Sequence, residues 1–210
     1  MTMHSVSIDE LPVLFNRTKP LITLPKLTVK DGSLTSIKEY EAVAMLTQLQ
    51  QPKKVFEIGT FEGVTAWVLA LNAPRAQVYT LNLPPGNKPS TRYQLGKLNE
   101  RYVKDKGKLA FDDTKEAKRI TQVFGDSARF DFGPFKSHID FFFVDGAHTY
   151  AYTKNDSQKA FETVSKDGLI LWHDYNPSYW KGTVKCLDEL AQKHDLYHIK
   201  DTCLVFWKKF

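Results

Sequence analysis

Apolar and polar positions along this chain alternate between a helical and an extended spacing, and the switches set out its elements. Ser36 stands three residues before Glu39, the spacing of a capping box. Ile37, Tyr40, Val43, Ala44 and Leu46 or Thr47 then recur at the helical interval until Pro52. Lys53 to Ile58 predicts a first strand, Thr65 to Leu71 a helix broken at Asn72 to Pro74, and Gln77 to Leu83 a second strand. The Pro- and Gly-rich run from Leu83 to Pro89 is a loop, and a polar helix is expected over Arg92 to Lys104. Ile120 to Phe124 is a short third strand. Ile139 to Val144 is apolar except at Asp140, as in a parallel strand buried on both faces. A helix over Tyr152 to Val164, a strand over Gly168 to Trp172 and a helix over Val184 to Lys193 follow. Leu196 to Ile199 and Cys203 to Trp207 read as two strands turning at Lys200-Asp201.

Strands alternating with helices imply right-handed crossovers and a mostly parallel sheet. The closing hairpin adds an antiparallel strand at one edge. Residues 1–35, with Pro12, Pro20 and Pro25, read as an irregular arm lying on a domain that spans 36–210.

Composition narrows the class without naming a chemistry. The chain has 210 residues, enough for one sizeable core and short for two. No apolar run approaches the roughly 20 residues needed to cross a bilayer. The first ten residues lack the pattern of a secretory signal. Cys186 and Cys203 fall on separate elements and make no disulfide framework, so a cytoplasmic setting is expected. The net charge of +5 is modest. Much of the positive charge lies between Lys97 and Arg119 but is interleaved with acids, so a solvated face is favoured over a nucleic-acid surface.

The chemistry concentrates where strands end. Val55 to Thr65 reads as a buried strand closing in Glu57, a glycine turn and a helix start. A strand edge, bare amides and a helix N-terminus together cradle a small ligand. Dinucleotide folds use G-x-G-x-x-G. Here the pattern is E-x-G-x-x-x-G-x-T, carried by Glu57, Gly59, Gly63 and Thr65, with Thr60 and Phe61 inside the turn. A carboxylate there repels a pyrophosphate and suits an ammonium group or ribose hydroxyls.

The other predicted strands end in Asn82, in Gly125-Asp126-Ser127, in Asp145 with His148 three residues on, and in His173-Asp174. An acid at one strand end simply marks a turn. Phe141 to Val144 running into Asp145, and Leu169 to Trp172 running into His173-Asp174, are less well explained that way. If those two strands are neighbours, Asp145 and Asp174 converge and could hold a hard cation such as Mg2+. His148 could then take a proton, an imidazole's ordinary pKa being about 6.5; a capping or surface histidine is an equal reading. A zinc or iron site using His148, His173 and an aspartate also stays open.

At this point the sequence resembles a class I S-adenosylmethionine-dependent methyltransferase. More narrowly it resembles the small metal-dependent O-methyltransferases, the catechol and caffeoyl-CoA type and bacterial relatives with D-G-x-H-x-Y, here Asp145, Gly146, His148 and Tyr150. The resemblance runs from about Ser36 to the C-terminus. It implies a Rossmann-like methyltransferase fold, a mostly parallel seven-stranded sheet with helices on both faces and an antiparallel C-terminal strand. It implies that Glu57, Gly59, Thr60, Phe61, Gly63 and Thr65 hold the methionine end of S-adenosylmethionine, and that Asn82 meets the ribose in place of the usual acid. Gly125, Asp126 and Ser127 form the adenine turn, and Asp145 adjoins the cofactor. Asp145 and Asp174 are the implied metal ligands, Mg2+ being the ion, with His148 where the family has a catalytic lysine. Tyr175 stands where a third ligand, asparagine, is usual, which leaves His173 or Asn176 to substitute.

The activity implied is methyl transfer to a small-molecule hydroxyl, with Asp145 and His148 as catalytic residues. No membrane or nucleic-acid partner is expected, and homodimer formation is left open. Two alternatives stand beside it. Asn82 and Tyr175 motivate a catalytically silent cofactor-binding module, and the two histidines an iron-dependent oxygenase. Pro84 to Phe111 and the arm are expected to wall the acceptor site, with Tyr93, Tyr102, Tyr179 and Trp180 as candidate lining and Trp172 and Tyr175 favoured by location.

Overall fold

A computed structural model describes residues 3–26, 36–84, 93–95 and 107–210. The expected helix over 92–104, with Tyr102, lies almost wholly outside them. The described strands form one sheet in the order β1-β7-β8-β6-β5-β2-β3-β4. They are β1 (Met3–Val6), β2 (Lys54–Ile58), β3 (Gln77–Asn82), β4 (Ile120–Phe124), β5 (Ile139–Val144), β6 (Val164–Trp172), β7 (Leu196–Ile199) and β8 (Val205–Lys208). The α-helices are α1 (Leu11–Leu14), α2 (Ile37–Gln50), α3 (Val64–Asn72), α4 (Tyr150–Thr163) and α5 (Lys181–Ala191). All pairings are parallel except those of β8 with β6 and β7.

Two features differ from the sequence reading. Among the described residues the sheet has eight strands, because the arm contributes β1, which pairs in parallel with β7 from Met3↔Leu196 to Val6↔Ile199. Four residues with one buried side chain carry too little alternation to announce a strand whose partner lies nearly 200 positions away. The antiparallel strand β8 is interior, between β6 and β7, rather than at the edge. The hairpin turns inward, so Phe206 and Val205 sit in the core.

The core lies on both sides of the sheet, and β5 shows why its sequence has no polar position but one. Phe141 and Phe143 pack with Val55, Leu169, Leu171 and the buried faces of α2 and α3. Phe142 and Val144 face the other way, onto Phe56, Ile170, Trp172 and Leu187. Alternate residues of a strand point to opposite faces, so a strand covered twice is apolar along its buried length, here Phe141 to Val144. Each fully buried phenylalanine contributes roughly 1.5–3 kcal/mol.

Helix ends are held by specific side chains. Ser36 accepts the Glu39 amide at the start of α2, as its position predicts, and Gln51 ends the helix in the left-handed region. At the other end of α3, Arg119 donates to the carbonyls of Ala70, Ala73 and Ala76. That satisfies acceptors a helix C-terminus leaves open. Arg119 and the buried Glu116, which accepts from the Trp67 indole at 3.3 Å, show that part of the charged run serves the core.

Candidate active site

The chain runs β2, β3, β4 outward to one side and β5, β6 to the other, so the order reverses between β2 and β5. The crevice at such a switch point, beyond the strands' carboxyl ends, is where open α/β sheets bind ligands. Gly59 lies in it. The Asp145 amide donates to Ile58 O at 2.9 Å and the Gly59 amide to Leu81 O at 2.8 Å. Gly59 has φ +106°, and a Cβ there would stand 1.9 Å from the Asp145 carbonyl oxygen. Only glycine lets the two strand ends close to this distance. Gly63, also left-handed at φ +78°, precedes α3, where a Cβ would meet the Phe111 ring at 2.7 Å. Phe61 between them is left-handed at φ 46°.

The strand-end acid Glu57 is wholly buried beside this turn. One carboxylate oxygen accepts from the Thr80 hydroxyl, which in turn accepts from Thr60 at 2.7 Å. The other, Oε1, is buried with no hydrogen-bond partner. Burial pushes the Glu57 pKa up to about 8; nearby Asp145 adds to the rise and the Thr80 hydrogen bond opposes it. A buried carboxyl with one uncompensated oxygen fits a cationic or hydrogen-bond-donating ligand group. Thr80 is a member of this site that the sequence did not mark; it is an unremarkable polar residue inside a strand, placed opposite Glu57 by the β2–β3 register.

The remaining cofactor candidates fall on adjacent strand ends. Asn82 closes β3, and its carbonyl accepts the Gly125 amide at 2.9 Å. Asp126 Oδ1 accepts from the Tyr152 hydroxyl and the Ala128 amide, both at 3.0 Å. Ser127 is buried beside α4. Behind it lies Asp156, fully buried, with its pKa pushed by burial up to about 7 and Oδ2 without a partner. Asp156 was not singled out from the sequence, because an acid inside a polar helix looks like a solvated one.

Beyond β5 and β6 the site changes character. These strands are neighbours, with Val144 opposite Trp172, so Asp145 and Asp174 emerge side by side. His148 Nε2 lies 2.5 Å from Asp174 Oδ2. Asp145, His148 and Asp174 each offer a ligand atom within 4.8 Å of the others. His173 lies deeper, 1% exposed, with Nδ1 3.2 Å from Asp145 Oδ1 and 3.4 Å from Asp174 Oδ2. Its Nε2 faces Glu39 Oε2 at 3.4 Å. Glu39, read from the sequence as half of a capping box, is therefore a buried partner of the site; its Oε1 accepts the Cys203 amide at 2.6 Å. Its helical position gave no hint of a contact 134 residues away.

Charge in this cluster is shared among close neighbours. Burial depresses a histidine's pKa, but Asp174 and Asp145 outweigh it and hold His173 well above its usual range. Burial pushes Asp145 up to about 6 against the pull of His173. Burial would raise Asp174 as well, but His173 and His148 hold it below the usual carboxylate range. Asp174 also has φ 64°, a conformation aspartate tolerates better than most residues.

Of the two substitute ligands considered from the sequence, His173 lies within the cluster and Asn176 is engaged with its own turn. Both His173 nitrogens face carboxylates. Asn176 uses Oδ1 to accept the Ser178 amide at 3.0 Å and points Nδ2 at Cys203 Sγ. Tyr175 turns away, donating to Asp188 at 2.7 Å. Trp172 is fully buried and donates to Ser157, so it does not line a pocket. Tyr179 is exposed, and Trp180 stacks on His148 with ring centres 3.9 Å apart. Tyr93 packs edge-on against Tyr152.

The family model described as "Methyltransferase domain" matches residues 56–175, from β2 through the Asp145 and Asp174 strand ends. The match covers more than half of the chain, which belongs to this methyltransferase family. A search of curated protein sequences finds no match. Among solved structures, the SAH-bound methyltransferase PaMTH1 of Podospora anserina is similar, at 16% identity and TM-score 0.60, over 84% of this chain and 81% of that one. The O-methyltransferase from Bacillus cereus in complex with SAH aligns at 15% identity and TM-score 0.55, over 96% and 89%. Spermidine synthase from Thermotoga maritima aligns at 18% and 0.54, over 90% and 63%. These likenesses establish the fold; that they include a spermidine synthase shows the fold does not by itself fix the reaction. Among the described residues no helix is long and apolar enough to cross a membrane.

Proposed function

We propose that this protein transfers a methyl group from S-adenosylmethionine to a hydroxyl of a small molecule. The observation that carries the reading is the pairing, across one switch-point crevice, of an orphaned acid at the glycine turn with a histidine–carboxylate cluster at the next strand ends. The donor's ammonium group is the natural partner of Glu57 Oε1. Its adenosine would extend toward Asn82 and the Gly125–Ser127 turn.

His148 is the proposed base. With its Nε2–H donating to Asp174, the lone pair that takes the acceptor's proton lies on Nδ1. Asp174 stabilises the imidazolium that results, and Asp145 lines the same space. The acceptor oxygen then displaces the methyl group in line, and the enzyme's main task is to hold the two reactants at that angle.

A second reading adds a divalent cation. Asp145, His148 and Asp174 fit one, since Asp145 Oδ2 is buried without a partner and the ligand atoms converge. Two carboxylates and an imidazole suit Mn2+, Fe2+ or Zn2+ better than Mg2+, which favours oxygen alone. When bound, such an ion lowers the pKa of a coordinated hydroxyl.

Calorimetry with S-adenosylmethionine and SAH, then transfer to a panel of phenols, sugars and acyl-linked alcohols with and without EDTA, tests both readings. Binding with transfer that survives EDTA supports the base alone. Transfer restored by Mn2+ supports the cation, binding without transfer to any acceptor favours a silent module, and no binding removes the proposal.

A further inference from the structure

The turn that follows β6 does more than supply Asp174. Asn176 donates its amide to Asp174 O at 2.7 Å and accepts the Trp180 amide at 2.8 Å, so Asp174 to Trp180 folds as one compact unit. Both ends of that unit meet the same side chain. Asp174 takes the edge of the His148 ring at Nε2, and the Trp180 indole lies on its flat face at 3.9 Å between centres and 20° between planes. The Trp180 carbonyl accepts the Val184 amide at 3.1 Å, which ties the indole's backbone to α5. Two residues on, Gly182 presses against the backbone that carries His148. A Cβ there would stand 2.5 Å from Tyr150 N and 3.0 Å from His148 O. The histidine is thus fixed at its edge, its face and its main chain by one segment.

We propose that Trp180 is the positioning residue of the base. A packed face restricts a ring's rotation about its side-chain torsions, and misplacement of a catalytic group by about 1 Å can cost on the order of a hundredfold in rate. The indole removes that freedom without competing for either ring nitrogen. The proposal rests on the reading of His148 as the base, and its test separates the two.

The test uses the full chain and the variants Trp180→Ala, Trp180→Leu, Trp180→Phe and His148→Ala. Histidine-ring nitrogen spectra, with His148 assigned from its loss in His148→Ala, report orientation without any acceptor. Wild type and Trp180→Phe should show one fixed His148 tautomer. Trp180→Ala, or Trp180→Leu where the alanine variant is unstable, should show averaged signals. With catechol as the probe hydroxyl, kcat should fall at least tenfold in Trp180→Ala and recover to within threefold in Trp180→Phe, while SAH affinity stays within twofold. A fixed wild-type tautomer in both Trp180→Ala and Trp180→Leu overturns the positioning role, whatever the turnover. So does a loss of SAH affinity that matches the loss of kcat. Wild-type turnover in His148→Ala overturns the base assignment instead, and leaves the tautomer result to judge Trp180.

Discussion

The two halves of the crevice handle buried charge in opposite ways. At the glycine turn, Glu57 stands among hydroxyls, with one oxygen on the Thr80–Thr60 chain and the other on nothing. At the β5 and β6 ends, Glu39, Asp145 and Asp174 gather around His173, and His148 meets Asp174 within hydrogen-bonding reach. The first half has no cation beside its acid, while in the second His173 stands between the carboxylates and only Asp145 Oδ2 is left without a partner. Burying an unpaired carboxylate costs several kcal/mol, so the protein keeps Glu57 protonated instead. On the proposed reading, the difference separates a half that captures a charged molecule from one that moves a proton.

The sharpest way to break this division is at the proton-moving half. His148→Ala and Asp145→Ala should each lower transfer by about 10²–10⁴-fold. SAH affinity should stay within about threefold, since neither change touches the hydroxyl chain at Glu57. Equal loss of SAH affinity in both variants would show that the halves are not separable.

Next in size is the seam between them. Gly59→Ala places a methyl group into the Asp145 carbonyl at a left-handed φ. The two strand ends must part, at a cost of about 3–5 kcal/mol, as for other severe steric and backbone defects. Chemical denaturation should show it, and SAH binding should fall with it. A variant as stable as wild type would mean that the close approach is not required.

The capture half offers a linkage test. The folded protein holds a proton on Glu57 up to about pH 8, whereas the unfolded chain releases it near the ordinary glutamate value of 4.5. Between those values the native state binds more protons, so Glu57 makes stability fall as pH rises through the window. Glu57→Gln should therefore flatten the decline in Tm between pH 5 and 8. It should also weaken S-adenosylmethionine binding by about 10-fold, in line with loss of one charge-assisted contact. Below pH 8, wild-type binding should release a proton, visible in calorimetry as a dependence on buffer ionisation heat; no such dependence would contradict the ammonium contact.

The smallest effect is expected at Thr80→Val. Losing one buried donor and the link to Thr60 should cost about 1–2 kcal/mol of stability. It should move the Glu57 pKa further up, because the hydrogen bond that opposes its rise is gone.

Legibility followed the same division. The glycine turn was readable because its constraints are local: Gly59, Gly63 and the acid two residues before Gly59 sit in one short run, and their spacing encodes backbone geometry directly. Asp145, His148 and Asp174 were readable as strand-end residues, since an abrupt end to an apolar run is a local signal. Their partners were not. Glu39, Thr80 and Asp156 carry ordinary polar spacing on their own elements, and Trp180 looked like one more loop aromatic. Strand β1 escaped for the same reason, its four residues gaining meaning only from β7.

By itself the sequence determined the alternating strands and helices, the doubly covered β5, the switch-point cradle and the acids beside it, because periodicity, glycine spacing and strand ends are written in neighbouring residues. Tertiary structure alone decided which groups share a proton or a charge: His173 between Glu39 and the two aspartates, Thr80 on Glu57, Trp180 on His148. Those pairings depend on sheet order and register, which bring together residues that no local pattern relates, and the energies of buried charges depend on distance rather than on place along the chain.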